Sequence, residues 1–212
     1  MNSSIADIRK DYTLKSLSEA AVESNPIKQF SIWWNEAIAS NIDEVNAMTL
    51  ATIKTNLQPA ARTVLLKDFD YNGFTFFTNY NSAKGEQLQH RSQAALCFFW
   101  KELQRQIRIE GTVEKTSEEI SDAYFNSRPT GSKLGAWASP QSKVIESREI
   151  LIKNEEAFKQ QFGDNIIRPP HWGGYIVKPN YIEFWQGRSN RLHDRICYTL
   201  QNENWKTERL AP

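Results

Sequence analysis

The residues best suited to chemistry stand at every second position near the C-terminus: Arg191, His193 and Arg195. On an extended strand, three side chains with this spacing leave the same face. Together they form a site for an anion, since arginine matches phosphate or carboxylate and histidine donates a hydrogen bond or accepts a proton. The alternative is a solvated edge strand whose charges discourage aggregation. The functional interpretation is favoured by the aromatic and apolar flanks, Tyr181, Phe184, Trp185, Ile196, Tyr198 and Leu200.

The segment from Arg62 to Lys67 places one cation at each end of four largely apolar residues. By the two-residue period of a strand, Arg62 and Lys67 point to opposite faces. One such cation alone is consistent with a surface charge. The pair predicts a strand that crosses a core and presents charge at both rims.

Two further segments carry polar groups on predicted elements. Thr78, Ser82 and Lys84 lie where a strand passes into a helix, so their side chains and the free N–H groups of the helix start could hold a phosphate; the alternative is an ordinary capped helix. Gln106 follows Arg105 on a strand whose Ile107 and Ile109 share the arginine's face. Its amide is either solvated or available to the edge of a flat heterocycle.

A fourth cluster follows a predicted helix that ends before Pro129. Tyr124 and Arg128 are four residues apart and share a helix face, and the proline turn brings Ser132 near them. These three side chains form a candidate phosphate clamp. The alternative is an arginine whose stem packs on the tyrosine ring.

The sequence contains no metal-ligand spacing and no serine in a nucleophile elbow. Two separate basic, hydroxyl-rich clusters without a nucleophile or metal therefore predict a protein that holds two phosphorylated ring compounds face to face. We then expect a cofactor to supply the reactive group.

Composition bounds the remaining possibilities. The 212 residues suffice for one domain, and 26 Lys and Arg nearly balance 25 Asp and Glu, which argues against nucleic acid and favours a small phosphorylated partner. Cys97 and Cys197 lie in apolar runs, which predicts reduced, buried thiols. The chain has no apolar run of membrane-spanning length and no secretory signal, so we expect a soluble cytoplasmic protein.

Periodicity predicts a mobile segment with a short helix at residues 1–25, followed by a single domain at 26–212. The first helix starts at Pro26 and has a core face of Ile27, Phe30, Trp34, Ala37 and Ile38, and later helices cover 84–91, 117–127, 132–138 and 144–162. Thr116 and Glu119 match a capping box for the third helix. Strands cover 48–53, 60–67, 74–79, 94–100, 104–113, 172–177, 181–185, 195–200 and 205–210. Turns at 70–73 and 201–204 make hairpins, and the order of elements predicts a mainly β fold, an antiparallel barrel with peripheral helices.

The chain resembles the pyridoxamine 5′-phosphate oxidase family from Arg9-Lys-Asp-Tyr12 to the C-terminal Arg-Leu-Ala-Pro. Three stretches are together highly specific: Arg-Thr-Val-Leu-Leu-Lys (62–67), Tyr-Phe-Asn-Ser-Arg-Pro (124–129) and Arg-Leu-His-Asp-Arg (191–195). The resemblance implies the FMN-binding split β-barrel, working as a homodimer with FMN in the subunit interface.

The family's contacts can be carried onto this sequence residue by residue. The implied FMN contacts are Arg62, Thr63, Val64, Leu65, Leu66, Lys67, Phe77, Thr78, Lys84, Gln106, Gln141, Ser142, Trp185 and Arg195. The implied substrate contacts are Lys67, Tyr124, Arg128, Ser132, Arg191 and His193, with Arg9, Lys10, Asp11 and Tyr12 in an N-terminal element that closes over the substrate.

The implied reaction is oxidation of pyridoxamine or pyridoxine 5′-phosphate to pyridoxal 5′-phosphate, with dioxygen as acceptor and hydrogen peroxide as product. Arg191 and His193 are then the catalytic pair at C4′. Ala83 stands where the family commonly has Arg, so one phosphate-directed cation is missing, and Phe77 and Asp11 replace a frequent Tyr and the usual Glu. The alternatives are a flavin- or pyridoxal-phosphate-binding module without turnover and a related split-barrel reductase.

Overall fold

The computed structural model describes Ile5 and residues 11–212, so Arg9, Lys10 and most of the predicted N-terminal helix lie outside the described residues. The helices are α1 (Pro26–Ala39), α2 (Ala83–His90), α3 (Glu118–Ser127), α4 (Thr130–Ala138) and α5 (Glu149–Phe162). The strands are β1 (Ala47–Ile53), β2 (Pro59–Leu65), β3 (Asp68–Asp70), β4 (Gly73–Asn79), β5 (Gln93–Trp100), β6 (Arg105–Lys115), β7 (Trp172–Gln186), β8 (Asp194–Gln201) and β9 (Asn204–Arg209). They are hydrogen-bonded in the order β2-β1-β5-β6-β7-β4-β3, with β8 paired to β7 and β9 to β8.

The chain packs as two compact units. The terminal unit comprises Met1–Thr49, Ala95–Glu110 and Pro179–Pro212, and the central unit comprises Leu50–Ala94 and Gly111–Lys178. No described helix combines the length and apolar character that a membrane span requires.

In the terminal unit, α1 begins as its sequence predicts. The Asn25 side chain accepts hydrogen bonds from the N–H groups of Ile27 and Lys28, and Pro26 occupies the first turn, where its missing N–H costs nothing. The buried face is Ile27, Phe30, Trp33 and Ala37. The predicted face was wrong at Ile38, which is 51% exposed. Trp33, which the prediction left out, is buried instead, with its ring 5.1 Å from the Phe184 ring.

The hairpin between β8 and β9 confirms the predicted turn. Gln201 pairs with Asn204, and the two residues between them, Asn202 and Glu203, both have positive φ, at 47° and 65°. Two such residues match the right-handed twist of the flanking strands.

In the central unit, β4 pairs antiparallel with the start of β7 and with β3. The predicted turn before β4 is confirmed: the Asp70 carboxylate accepts from the N–H groups of Asn72 and Gly73, and Gly73 has φ 145°. Helix α2 is capped by Ser82, whose hydroxyl accepts from the Gly85 N–H. One hydrophobic cluster joins α3, α4 and β7 through Phe125, Leu134, Ile166 and Trp172.

Four sequence expectations differ from the structure. The capping box at Thr116 was wrong: its hydroxyl lies 3.0 Å from the Ser121 hydroxyl, and Ser117 caps α3 instead, accepting from the Ile120 N–H. Helix α5 begins at Glu149 rather than 144, because fully exposed Val144 has no apolar surface to pack on. The strands predicted at 172–177 and 181–185 form one continuous β7, and α4 begins two residues early at Thr130.

The predicted passage of the 62–67 segment through a core was also wrong. Strand β2 alternates between exposed and half-buried positions and ends at Leu65. Leu66 is buried, whereas Lys67 is exposed beyond the strand end. The segment therefore forms a wall with one solvent-facing side.

Candidate active site

The central unit contains a cavity of about 640 Å³, within the size range of small-molecule sites. It brings together eleven of the residues expected to bind cofactor or substrate, which are Thr63, Val64, Leu65, Lys67, Phe77, Thr78, Lys84, Tyr124, Arg128, Ser132 and Gln141. The two phosphate-directed clusters of the sequence therefore line one space.

Lys84 stands at one side of this cavity among neutral oxygen atoms. Its ammonium donates to the Thr78 hydroxyl and to the Gln141 side-chain oxygen, each at 3.0 Å. Burial, and secondarily the charge of Arg62, lower the pKa of Lys84. Within the described part of the chain no carboxylate forms an ion pair with Lys84. The amine is therefore a cation that lacks its counter-charge.

Arg62 lies near Lys84 but does not line the cavity. Its guanidinium donates to the Leu50 carbonyl at 3.2 Å, to the Thr52 hydroxyl, and to the Gln87 side-chain oxygen at 2.9 Å. Burial lowers the pKa of Arg62. Arg62 therefore adds positive charge near Lys84, while its own donors are held by neutral groups. The expected neighbours Leu66 and Ser142 do not line the cavity.

The opposite side of the cavity carries the predicted clamp of Tyr124, Arg128 and Ser132. Arg128 is the residue that ends α3, and its guanidinium carbon lies 4.6 Å from the centre of the Trp172 ring. Burial lowers the pKa of Arg128. The guanidinium Nη1 atom is buried without a hydrogen-bond partner among the described residues. Such an orphaned donor is costly unless a ligand completes it.

Arg128 packs on the rings of Trp172 and Phe125, whereas the alternative interpretation of the sequence had it pack on Tyr124. The Tyr124 ring instead stacks on Phe77, with centres 4.0 Å apart and planes 18° apart. Arg128 uses Trp172 and, at 5.7 Å, Phe125. Lys67 reaches within 6.0 Å of the Tyr124 ring and supplies a further cation at the cavity wall.

Trp172 is an aromatic residue of the cavity lining that the motifs did not single out. It is 6% exposed, lines the cavity and starts β7. The available signal was the Trp-Gly-Gly sequence, because a Cβ at Gly174 would lie 2.8 Å from the Phe77 ring. A glycine at that position indicates a ring packed against bare backbone.

The remaining expected residues belong to the terminal unit, and there the same-face prediction was wrong. Residues Ser189–Arg191 form a 3₁₀ turn, Arg191 itself has φ 62°, and β8 starts only at Asp194. Arg191 and His193 therefore precede the strand, and only Arg195 lies on it. The alternation failed because Asn190 and Arg191 adopt left-handed backbone conformations, which interrupt extended structure.

His193 is held by its surroundings. Its ring lies 4.6 Å from Trp185, and its Nδ1 atom accepts a hydrogen bond from the Arg188 N–H at 3.1 Å. In the neutral ring this bond leaves the proton on Nε2. Burial, followed by the charge of Arg191, lowers the pKa of His193. Tyr12 packs edge-on against Trp185 at 5.8 Å, whereas Asp11 is exposed.

Arg195 is committed to a buried carboxylate. It forms a two-pronged pair with Glu183 at 2.7 and 3.1 Å, and its remaining bond goes to the Ala211 carbonyl at 2.8 Å. Glu183 is 2% exposed, and its hydrogen bond raises the pKa of Arg195. Gln106 lies half-buried on β6 between buried Arg105 and Ile107.

Two family models match the chain. The model described as pyridoxamine 5′-phosphate oxidase covers residues 34–162, and the model described as pyridoxine 5′-phosphate oxidase C-terminal dimerisation region covers residues 172–212. Among curated proteins, pyridoxine/pyridoxamine 5′-phosphate oxidase of Cyanothece sp. is 58% identical over 213 residues and 100% of both chains. The protein of that name from Burkholderia mallei is 54% identical over 98% of this chain and 99% of its own.

Solved structures confirm the predicted mainly β split barrel with peripheral helices. PhzG from Burkholderia lata, solved in complex with tetrahydrophenazine-1-carboxylic acid, is similar with a TM-score of 0.88 and 29% identity over 94% of this chain and 99% of its own. A pyridoxamine 5′-phosphate oxidase-related, FMN binding protein from Nostoc punctiforme has a TM-score of 0.72 at 20% identity, covering 90% of this chain and 100% of its own, and shows the fold alone. With full-length relatives above half identity and family models over most of its length, the chain belongs to the pyridoxine/pyridoxamine 5′-phosphate oxidase family.

Proposed function

We propose that this protein is an FMN-dependent oxidase that converts pyridoxamine or pyridoxine 5′-phosphate to pyridoxal 5′-phosphate, with dioxygen as acceptor and hydrogen peroxide as product. The observation that carries the proposal is the cavity of the central unit, where cations without carboxylate partners face one space from two sides. Lys84 and Arg128 are half-buried and Lys67 is exposed, and several cations facing one cavity without carboxylates favour binding of an anion. Two phosphate-bearing ring compounds would supply one anionic group to the cations on each side of the cavity.

The residues at the Lys84 side fit the phosphate of FMN. The ammonium of Lys84 and the hydroxyl of Thr78 are already hydrogen-bonded to each other, and Arg62 contributes a second positive charge without a carboxylate partner in the described chain. Burial and the charge of Arg62 destabilise the ammonium form of Lys84 and lower its pKa. A phosphate bound beside it would stabilise the ammonium form. When bound, FMN would accept two electrons from the substrate and pass them on to dioxygen.

The clamp residues would hold the phosphate of the substrate. Lys67, Tyr124, Arg128 and Ser132 offer two cations and two hydroxyls, and the buried Nη1 of Arg128 has a free donor for a phosphate oxygen. A charge-assisted hydrogen bond of this kind contributes roughly 1.5–3 kcal/mol. The clamp would thus fix the pyridine ring in a single orientation.

At the reacting carbon, Arg191 would orient the C4′ substituent, and His193 would position the ring oxygen or carry a proton. The hydrogen bond from the Arg188 N–H leaves Nε2 of His193 as the atom available to substrate. A lowered pKa keeps this imidazole neutral near physiological pH, so its Nε2–H would donate a hydrogen bond to the substrate's ring oxygen. The lid assignment of residues 9–12 remains a proposal, supported at Tyr12 by its contacts with Trp185 and His193.

A second candidate substrate class is an aromatic carboxylate without phosphate. It is favoured by the similarity to PhzG, whose structure holds tetrahydrophenazine-1-carboxylic acid. A carboxylate pairs with one arginine but leaves a four-residue phosphate clamp incompletely used. Comparing pyridoxamine 5′-phosphate with a fused-ring carboxylate as reductants of the bound flavin separates these classes. A binding module without turnover would reduce flavin with neither.

Arg128→Ala tests the assigned clamp. The variant should raise KM by roughly thirty- to a hundredfold, equivalent to about 2–3 kcal/mol, with kcat much less affected, since a phosphate contact stabilises ground state and transition state alike. Lys153→Ala, which removes an exposed cation of α5, is the matched control and should leave KM unchanged. Equal KM values for the two variants would exclude Arg128 from phosphate binding.

A further inference from the structure

Three aromatic rings lie nearly parallel beside the clamp. The Tyr124 and Phe77 rings are 4.0 Å apart with planes at 18°, and the Phe77 and Trp172 rings are 5.6 Å apart with planes at 13°. Tyr124 and Trp172 are themselves within 6° of parallel. We call these three rings the aromatic stack.

The fold builds this stack from two paired strands and one helix. Phe77 lies opposite Gly174 in the register of β4 and β7, and Trp172 is two residues away on the same face of β7. The missing side chain at Gly174 leaves room for the Phe77 ring. Tyr124 is contributed by α3, so the stack joins the sheet to the helix that ends at Arg128.

Arg128 is restrained by rings rather than by hydrogen bonds. Its guanidinium lies over the Trp172 ring at 4.6 Å, while Nη1 has no partner among the described residues. A cation held over a ring keeps all its in-plane donors available, which a salt bridge would not. Prior ordering of a long side chain also removes entropy that binding would otherwise cost.

We propose that Trp172 and Phe77 are positioning residues for the phosphate clamp. Trp172 orients the Arg128 guanidinium, and Phe77 aligns the Tyr124 ring, so that both donors face the cavity before the ligand arrives. This inference rests on the proposed function, because it takes the clamp to bind the substrate phosphate.

The test uses the flavin-loaded enzyme with Trp172→Leu, Trp172→Phe and Phe77→Leu. Steady-state turnover of pyridoxamine 5′-phosphate gives kcat and KM, and inhibition by inorganic phosphate gives an independent measure of the clamp. For Trp172→Leu, both KM and the inhibition constant for phosphate should rise on the order of tenfold, with kcat nearly unchanged. Trp172→Phe should fall between wild type and Trp172→Leu, because phenyl is the weaker cation-binding ring.

Phe158→Leu is the matched control for loss of an apolar ring from the same hydrophobic cluster. Phe158 packs on Trp137 and Phe162 of that cluster. It should lower the melting temperature without changing either phosphate measure. If Trp172→Leu fails to fold, Trp172→Phe carries the same comparison. Phe77→Leu is judged by the inhibition constant for phosphate alone, because Phe77 also lines the cavity as an expected FMN contact.

A double variant separates positioning from general packing. If Trp172 acts through Arg128, adding Trp172→Leu to Arg128→Ala should raise KM little further. Full additivity, or phosphate measures no different from those of Phe158→Leu, would overturn the inference. If wild type binds inorganic phosphate through the clamp but never oxidises the substrate, the proposed function fails instead, and calorimetric phosphate affinities still decide the role of the stack.

Discussion

Arg191 and His193 differ in how the fold holds them. The His193 ring is fixed by Trp185 at 4.6 Å and by the Arg188 N–H, whereas Arg191 stands in a turn with φ 62°. Arg191 is exposed, and a non-glycine residue in this sparsely populated backbone region often belongs to a functional site. The backbone strain therefore supports the proposed placement of Arg191 at the reacting carbon.

Replacing Arg191 by Met should lower kcat more than it raises KM, because an orienting contact at the reacting carbon is made mainly in the transition state. It should also raise the pKa of His193, since the second of the two causes that lower it, the charge of Arg191, is removed. With neutral His193 as the active form, the acid limb of the pH–kcat profile then moves to higher pH. NMR titration of His193 in the wild type, Arg191→Met and the charge-preserving Arg191→Lys measures this shift.

The titration separates an electrostatic role from a structural one. Arg191→Lys should leave the pKa of His193 close to its wild-type position. An Arg191→Met variant that keeps the wild-type rate of flavin reduction at saturating substrate would make Arg191 merely a binding residue.

At the element scale, α3 carries both Tyr124 and the C-terminal Arg128, so its first turn stabilises the helix on which the clamp is built. Ser117→Ala removes the hydroxyl that accepts from the Ile120 N–H and should lower the free energy of unfolding by about 1 kcal/mol. Denaturant titration measures this loss, and Ser117→Asp, which keeps an acceptor, should restore most of it. An unchanged unfolding midpoint in Ser117→Ala would contradict the assigned cap.

The elements with local signals were predictable from the sequence. Asn25 with Pro26 begins α1, Asp70 with Gly73 makes a turn, and the 201–204 hairpin closes where expected. Each signal lies in side chains that bond their own neighbouring backbone.

The wrong predictions concern residues whose structure depends on contacts with distant parts of the chain. Thr116 lost its predicted cap role because its hydroxyl meets Ser121 and its N–H meets the Gly174 carbonyl. The sequence placed the clamp residues correctly in one cavity. The sequence did not predict Trp172 as a cavity residue, because its contact with the Arg128 guanidinium forms only in the folded chain.

At the scale of the whole molecule, the match to a dimerisation region at residues 172–212 supports a homodimer. If FMN lies in the subunit interface, as the family resemblance implies, dilution that separates the subunits should release it. Flavin fluorescence and sedimentation, followed over the same concentration range, should change together, and excess FMN should shift both transitions to lower protein concentration. Fluorescence that stays constant while the dimer dissociates would place the cofactor within one subunit.

In the proposed reaction, the bound flavin takes electrons from a phosphorylated pyridine. The most direct measurement is the visible absorption spectrum of the FMN-loaded protein, recorded without oxygen before and after adding pyridoxamine 5′-phosphate. We expect the oxidised flavin band to disappear, pyridoxal 5′-phosphate to form in an amount equal to the flavin reduced, and admission of air to restore the band. A flavin band that persists under saturating pyridoxamine 5′-phosphate would contradict the proposed reaction and leave another substrate class or a binding module without turnover.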